Sequence, residues 1–156
     1  MNAARANANQ ALYLAKILLG AWRRDSDAAE VADATLRQAY LPAVRTHLVQ
    51  AYGWFLLEVR GEDFPAGTAP PAGVAELPEI SAGRAVAGEL REFQQLEQDG
   101  WLAALLAAST SAASGPRAPG NLASPAPELP DHAQASAWAD SLEDLFGRMR
   151  DSLDEF

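Results

Sequence analysis

The sequence predicts an all-α fold: a four-helix antiparallel bundle with an up-down-up-down course. Three observations predict it. Alanine, the best helix former, supplies 34 of the 156 residues. Apolar residues recur at steps of three and four along four long segments, which places them on one face of a helix. No segment shows the alternation of period two that a half-buried strand requires. Each amphipathic segment needs the others to bury its stripe, and helices closing on helices is the resulting architecture. The length of 156 residues suits one domain, 1–156. Such a chain buries roughly 70% of its extended surface.

The first helix is predicted over about residues 3–24. Leu12, Ala15, Leu19 and Trp22 step by three, four and three, and Leu14, Ile17 and Leu18 widen that face. Asp25, Ser26 and Asp27 then offer N-cap oxygens for a second helix over 27–60. Its stripe is Val44, Leu48, Ala51, Phe55 and Val59. Pro42 lies inside this span and lacks an N–H, so the helix is predicted to kink near Pro42. Gly61 is its expected stop. Residues 61–80 carry Pro65, Pro70, Pro71 and Pro78 among three glycines and read as a long loop.

A third helix is predicted over 82–108, capped by Ser81. Val86, Leu90, Phe93 and Leu96 form its face; Trp101, Leu102, Leu105 and Leu106 resume it. Asp99-Gly100 stands between the two halves, so a local break and a continuous helix both fit. Residues 109–130 are rich in Ser, Ala, Gly and Pro, a composition with little to bury. Asp131 followed by Gln134 has the spacing of a capping box. It opens a fourth helix over 131–155 with Trp138, Leu142, Leu145, Met149, Leu153 and Phe156 as its stripe and Phe146 beside it. On the up-down-up-down course, Trp22, Trp101 and Trp138 gather as an aromatic cluster at one end, with Trp54 nearer the other.

Composition narrows the chemistry. The chain has no cysteine, which removes disulfides, zinc ribbons, iron–sulfur clusters and thiol nucleophiles. It has two histidines, and neither has a glutamate three residues before it, the pairing that di-iron bundles use. No phosphate loop, nucleophile elbow or dinucleotide fingerprint occurs. No cofactor and no metal are expected. The formal charge is −9, which opposes unspecific binding to nucleic acid or anionic lipid. No apolar run is long enough to span a membrane, and the run from Ala11 to Trp22 makes a poor secretory leader. A cytoplasmic protein is expected. The charge is uneven: residues 1–78 sum to −1, residues 79–156 to −8.

Two polar constellations stand out. His47, Trp54 and Glu58 lie along one flank of the second helix's stripe and could form a polar site for a small ligand or for catalysis. The plainer alternative is a hydrogen-bonded structural His47 and a Glu58 paired with an arginine of a neighbouring helix. Arg45 and Arg37 lie two and ten residues before His47, neither of which is the Arg-to-His spacing of helical-bundle ribonucleases. The second constellation is Asp140, Glu143, Asp144, Asp151, Asp154 and Glu155 on the last helix. Such a set is a solvated face or a docking face for a basic protein partner.

Several blocks carry a resemblance. They are Asn9-Gln10-Ala11-Leu12-Tyr13, Ala21-Trp22-Arg23-Arg24, His47-Leu48 with Glu58, Gly100-Trp101-Leu102-Ala103-Ala104-Leu105-Leu106, and Arg150-Asp151-Ser152-Leu153-Asp154-Glu155-Phe156. In this order and spacing they resemble a small uncharacterised helical protein family of pseudomonad-type bacteria, catalogued as a domain of unknown function. The likeness spans the chain except its two Pro/Gly-rich loops. Gly100 stands where the family tends to have a Ser-like residue, and Phe156 where it tends to end in Trp. The resemblance implies no known activity and a DNA-maintenance context. The expectation is a non-enzymatic factor acting through protein–protein contact. A homodimer is a further expectation, because the first helix is apolar around much of its circumference.

Overall fold

The computed structural model describes residues 3–61, 64–77, 88–108 and 129–155. Five α-helices and one 3-10 turn are present among them, and no strand. The helices are α1 (Ala3–Ala28), α2 (Asp33–Arg60), α3 (Gly88–Gln98), α4 (Trp101–Ala107) and α5 (His132–Asp154); the 3-10 turn is Val74–Glu76.

The inner face of α1 is a seam of small residues. Ala4, Ala8, Ala11 and Ala15 are buried there beside Leu12, Leu19 and Trp22. Small side chains let another helix approach closely along the whole length. That helix is α2, whose buried stripe includes Leu41, Val44, Leu48, Ala51, Phe55 and Leu56. The two run antiparallel. Trp22 near the end of α1 stacks on Tyr40 near the start of α2, with centroids 6.0 Å apart. Arg5 near the start of α1 reaches Glu58 near the end of α2.

The helix 1–2 connection corrects the expected boundaries. Asp25, Ser26 and Asp27 do not cap α2; they form the last turn of α1, which runs to residue 28 rather than 24. Their carboxylates are engaged there. Asp25 accepts from the Tyr40 hydroxyl, and Asp27 lies 3.5 Å from Arg23, one turn back. The chain turns at Ala29, in the left-handed region with φ 55°. Accordingly α2 starts at Asp33 rather than 27, behind Ala32, which supplies no side-chain cap.

A single helix continues through Pro42. The missing proline N–H frees the carbonyl of Gln38, and Gln38 is exposed, so water can satisfy it. The far end is closed by Gly61 as expected. With φ 74° it donates its N–H to the carbonyls of Leu57 and Glu58, the left-handed cap that glycine adopts without a steric penalty.

The third predicted helix is two helices. The break falls at Asp99-Gly100, between α3 and α4. Residues 82–87, with Ser81 and Val86, lie outside the described residues. Phe93 of α3 meets the rings of Tyr52 and Phe55. The carbonyls of Leu105 and Leu106, at the end of α4, accept from the Arg45 guanidinium at 3.2 and 2.6 Å. A seven-residue helix leaves most of its carbonyls without helical partners; Arg45 supplies a donor to Leu106 and a second one to Leu105, which also accepts from the Ala108 N–H.

The last helix starts as its capping pattern predicts: Asp131 accepts from the N–H of Gln134 at 2.8 Å. It runs antiparallel to α1. His132 at its start donates Nε2–H to the carbonyl of Leu19 at 2.9 Å, and Asp154 at its end lies 3.7 Å from Arg5. Trp138, Leu142, Leu145, Phe146 and Met149 close the core. The segment 109–128 lies outside the described residues.

The other long connection is seated on the helices over residues 64–77. Phe64 packs on Trp54 with centroids 5.4 Å apart. Pro70 and Pro71 lie directly on Gly53 of α2, so closely that a Cβ there would stand 2.2 Å from the Pro71 carbonyl oxygen. Glu97 of α3 pins the segment from the other side. Its Oε1 accepts from Val74 N–H at 2.8 Å and from the Tyr52 hydroxyl. Burial raises the pKa of Tyr52, and the hydrogen bond to Glu97 and its negative charge raise it further.

Candidate functional site

The flank of α2 was one candidate, and its three residues go to three places. Glu58 is buried, its side chain 3% exposed, and Arg150 of α5 grips it with both ends of its fork. Arg150 Nε donates to Oε1 and Nη2 to Oε2, each at 2.9 Å. Arg5 Nε stands 3.5 Å from the same Oε1. The Arg150 guanidinium also lies over the rings of Phe55 and Phe146, 5.7 and 5.2 Å from their centroids. Both oxygens of the Glu58 carboxylate are therefore engaged by charge-assisted donors, as in the arginine-paired alternative.

Trp54 turns to Phe64 of the seated segment. His47 lies 11 residues before Glu58, about 16 Å along the helix. It is half-buried, and its Nδ1 is a buried atom without a hydrogen-bond partner. The plainer alternative had this histidine hydrogen-bonded; at Nδ1 it is not. The three side chains do not share a partner among the described residues.

A buried orphan nitrogen costs about 1–3 kcal/mol, and an apolar group of similar shape removes that cost. His47→Leu is therefore expected to hold or raise the melting temperature. A fall of several degrees in calorimetry would mean that His47 makes a polar contact in solution.

The predicted aromatic cluster can be placed residue by residue. Trp22 is buried and contacts Tyr40 and, edge-on at 5.3 Å, His132. Trp138 is buried in the same core and Trp101 is half-buried against it. Trp54 lies 14 residues beyond Tyr40 along α2, about 21 Å.

The six acidic residues, five on α5 and Glu155 at its C-cap, divide into two sets. At 100° per residue, Asp140, Asp144, Asp151 and Glu155 fall within 60° of one another, opposite the buried stripe. All four are exposed and meet no base among the described residues. They span 15 residues, about 22 Å. Glu143 and Asp154 sit on the flank turned to α1. Glu143 Oε2 accepts from Lys16 Nζ at 2.6 Å and Asp154 pairs with Arg5. These exposed pairs contribute under about 1 kcal/mol each, but they orient the flank and leave the ridge free. Gly147, at mid-length between the ridge and the flank, faces open space.

Helical angles alone could have separated these two sets. Arg150 is absent from the sequence-level candidates, although a lone base beside Phe146 and Met149 on an apolar stripe is a signal for a buried ion pair. Glu97 and Gly53 carry no local signal, because their partners lie 17 to 45 residues away. No group of three or more His, Cys, Asp or Glu that could hold a metal occurs among the described residues. No described helix is long and apolar enough to cross a membrane.

The whole chain, residues 1–156, matches a family of unknown function, DUF6586. The chain belongs to that family. Neither the curated proteins nor the solved structures contain a match.

Proposed function

We propose that this member of a family of unknown function is a non-enzymatic factor that binds a basic protein through the outer ridge of α5. The observation that carries the reading is the exposed line of Asp140, Asp144, Asp151 and the C-cap residue Glu155, which meet no base among the described residues, while the helix's other acids pair with α1. Carboxylates spaced over about 22 Å of helix and its C-cap present a repeating negative array on a backbone that needs no ordering on binding, unlike a flexible tail. The absence of a catalytic motif in the sequence and the engagement of both Glu58 oxygens by Arg150 support a binding role over a chemical one. The fold reading goes with it: α3 and α4 act as two halves of one rod, giving the chain an up-down-up-down course with α5 as an outer face. The DNA-maintenance context suggests a partner that itself handles nucleic acid, since such proteins carry the complementary basic surface.

Affinity capture from a native lysate, titrated with salt, tests this. The partner is expected to be rich in Arg and Lys, and to be released as ionic strength rises and screening shortens. The variant combining Asp140→Asn, Asp144→Asn, Asp151→Asn and Glu155→Gln should lose it while keeping its helical content. Capture that withstands both salt and the variant overturns the reading.

A further inference from the structure

We propose that a second copy of this chain docks on the outer face of α1, through an antiparallel contact of the two α1 helices centred between Tyr13 and Ile17. Three large apolar side chains are exposed among the described residues, and two of them are Tyr13 at 60% and Ile17 at 48%. They lie one turn apart on the side of α1 that neither α2 nor α5 covers. Scattered surface hydrophobes are ordinary, so the case rests on what surrounds these two.

The stripe is free of acid. At 100° per residue, Ala6, Gln10, Tyr13, Ile17, Gly20 and Arg24 fall within about 80° of one another, and none carries a negative charge. The chain as a whole carries −9, so two copies repel one another. Contact through an acid-free face with an arginine near its end adds the least repulsion, and it keeps the acidic ridges of the two copies out of the interface. A basic or an acidic foreign partner would be selected by charge, and this face offers little.

The stripe is also self-complementary. A two-fold contact requires every residue of the patch to meet another residue of the same patch. With the axis between Tyr13 and Ile17, Tyr13 of one copy lies across from Ile17 of the other. Gln10 then lies across from Gly20, over which the Arg24 guanidinium of the same helix folds back, its Nη1 3.6 Å from the place of the missing Cβ, so the Gln10 carbonyl meets a donor there. Ala6 lies across from Arg24, and its single methyl group leaves space for the long arginine stem. All six residues pair within the set, and no like charges meet. The stripe from Ala6 to Arg24 is about 27 Å long. One helix pair of that length buries roughly 1,000 Å², at the low end of specific interfaces. The dimer is therefore concentration-dependent.

Sedimentation velocity on the full chain, from micromolar to near-millimolar concentration, tests this. A monomer–dimer transition is expected. Ile17→Glu should raise its midpoint by at least about tenfold, because the lost burial and two new acids at one contact both oppose docking. Its melting temperature, read at a concentration where the native chain is monomeric, should be unchanged because Ile17 is exposed. Added salt should strengthen self-association by screening the repulsion, opposite to its effect on a basic partner at α5. The chain has no cysteine, so disulfides report the register. A mixture of Tyr13→Cys and Ile17→Cys copies should cross-link faster than either alone. A monomer at every concentration, an unmoved midpoint in Ile17→Glu, or no preference for the mixture overturns the proposal. None of these outcomes bears on the α5 ridge.

Discussion

Arg150→Ala is expected to destabilise the fold by about 3 kcal/mol, near the lower end of what removing one partner of a buried ion pair costs. Three losses combine. The Glu58 carboxylate, 3% exposed, gives up two charge-assisted hydrogen bonds of 2.9 Å. The guanidinium leaves the faces of Phe55 and Phe146, whose rings stack at 4.2 Å, and cation–π contact is worth about 0.5–2 kcal/mol. The side-chain stem no longer covers apolar surface. One feature limits the damage. Arg5 already stands 3.5 Å from Glu58 and is 41% exposed, so it can follow the orphaned charge. For a chain of this size the loss corresponds to a fall in melting temperature of about 6–12 °C.

The pair itself is a different quantity from either deletion. Glu58→Leu alone strands Arg150, and Arg150→Met alone strands Glu58. The double variant strands neither and places apolar groups against Phe55 and Phe146. It is expected to recover most of the stability, as buried pairs exchanged for apolar residues of similar volume commonly do. Chemical denaturation of the four proteins closes the cycle. Should Arg150→Ala cost no more than Lys16→Ala, which breaks an exposed pair, Glu58 would have to be hydrated in solution.

The Glu58–Arg150 pair marks where sequence reasoning stopped. Helical periodicity makes α1, α2 and α5 legible as helices, because apolar residues at steps of three and four form a stripe that must be buried. Asp131 and Gln134 place the start of α5, since a cap is a local interaction. The end of α1 was not legible. Asp25, Ser26 and Asp27 have the composition of a cap, but Tyr40 and Arg23 engage the two carboxylates, so the turn falls instead at Ala29, a residue type that rarely adopts positive φ. Glu58 was legible as a residue that needs a cation; its arginine, 92 positions away, was not. The same holds for the acidic ridge. Helical angles separate the ridge from Glu143 and Asp154, but that Lys16 and Arg5 of α1 pair with those two depends on how α1 and α5 pack.

Gly53→Ala sets two effects of opposite sign against each other. In an exposed helix this change gains about 1 kcal/mol, because alanine loses less backbone entropy and shields the helix better than glycine. Here the new Cβ would stand 2.2 Å from the Pro71 carbonyl oxygen and 2.9 Å from Pro70 Cβ. One contact is with backbone and the other with a rigid ring, so no rotamer change relieves them. Either α2 shifts in the core, or the segment 64–77 lifts off Gly53. Lifting it pulls Val74 N–H from Glu97 and parts Phe64 from Trp54. It leaves the Glu97 carboxylate with the Tyr52 hydroxyl alone. Overpacking of this kind costs about 1–3 kcal/mol, and the detached segment sets the ceiling, since the helices need not unfold to escape the clash. The clash outweighs the propensity gain, and the expected net loss is about 2 kcal/mol. Hydrogen exchange separates the two routes. Release of the segment exposes the Val74 amide and makes residues 64–77 sensitive to proteases, with α1 and α5 still protected. A shift of α2 instead weakens protection throughout the core. A stabilised Gly53→Ala protein would show that propensity wins and that Pro70 and Pro71 do not rest on α2.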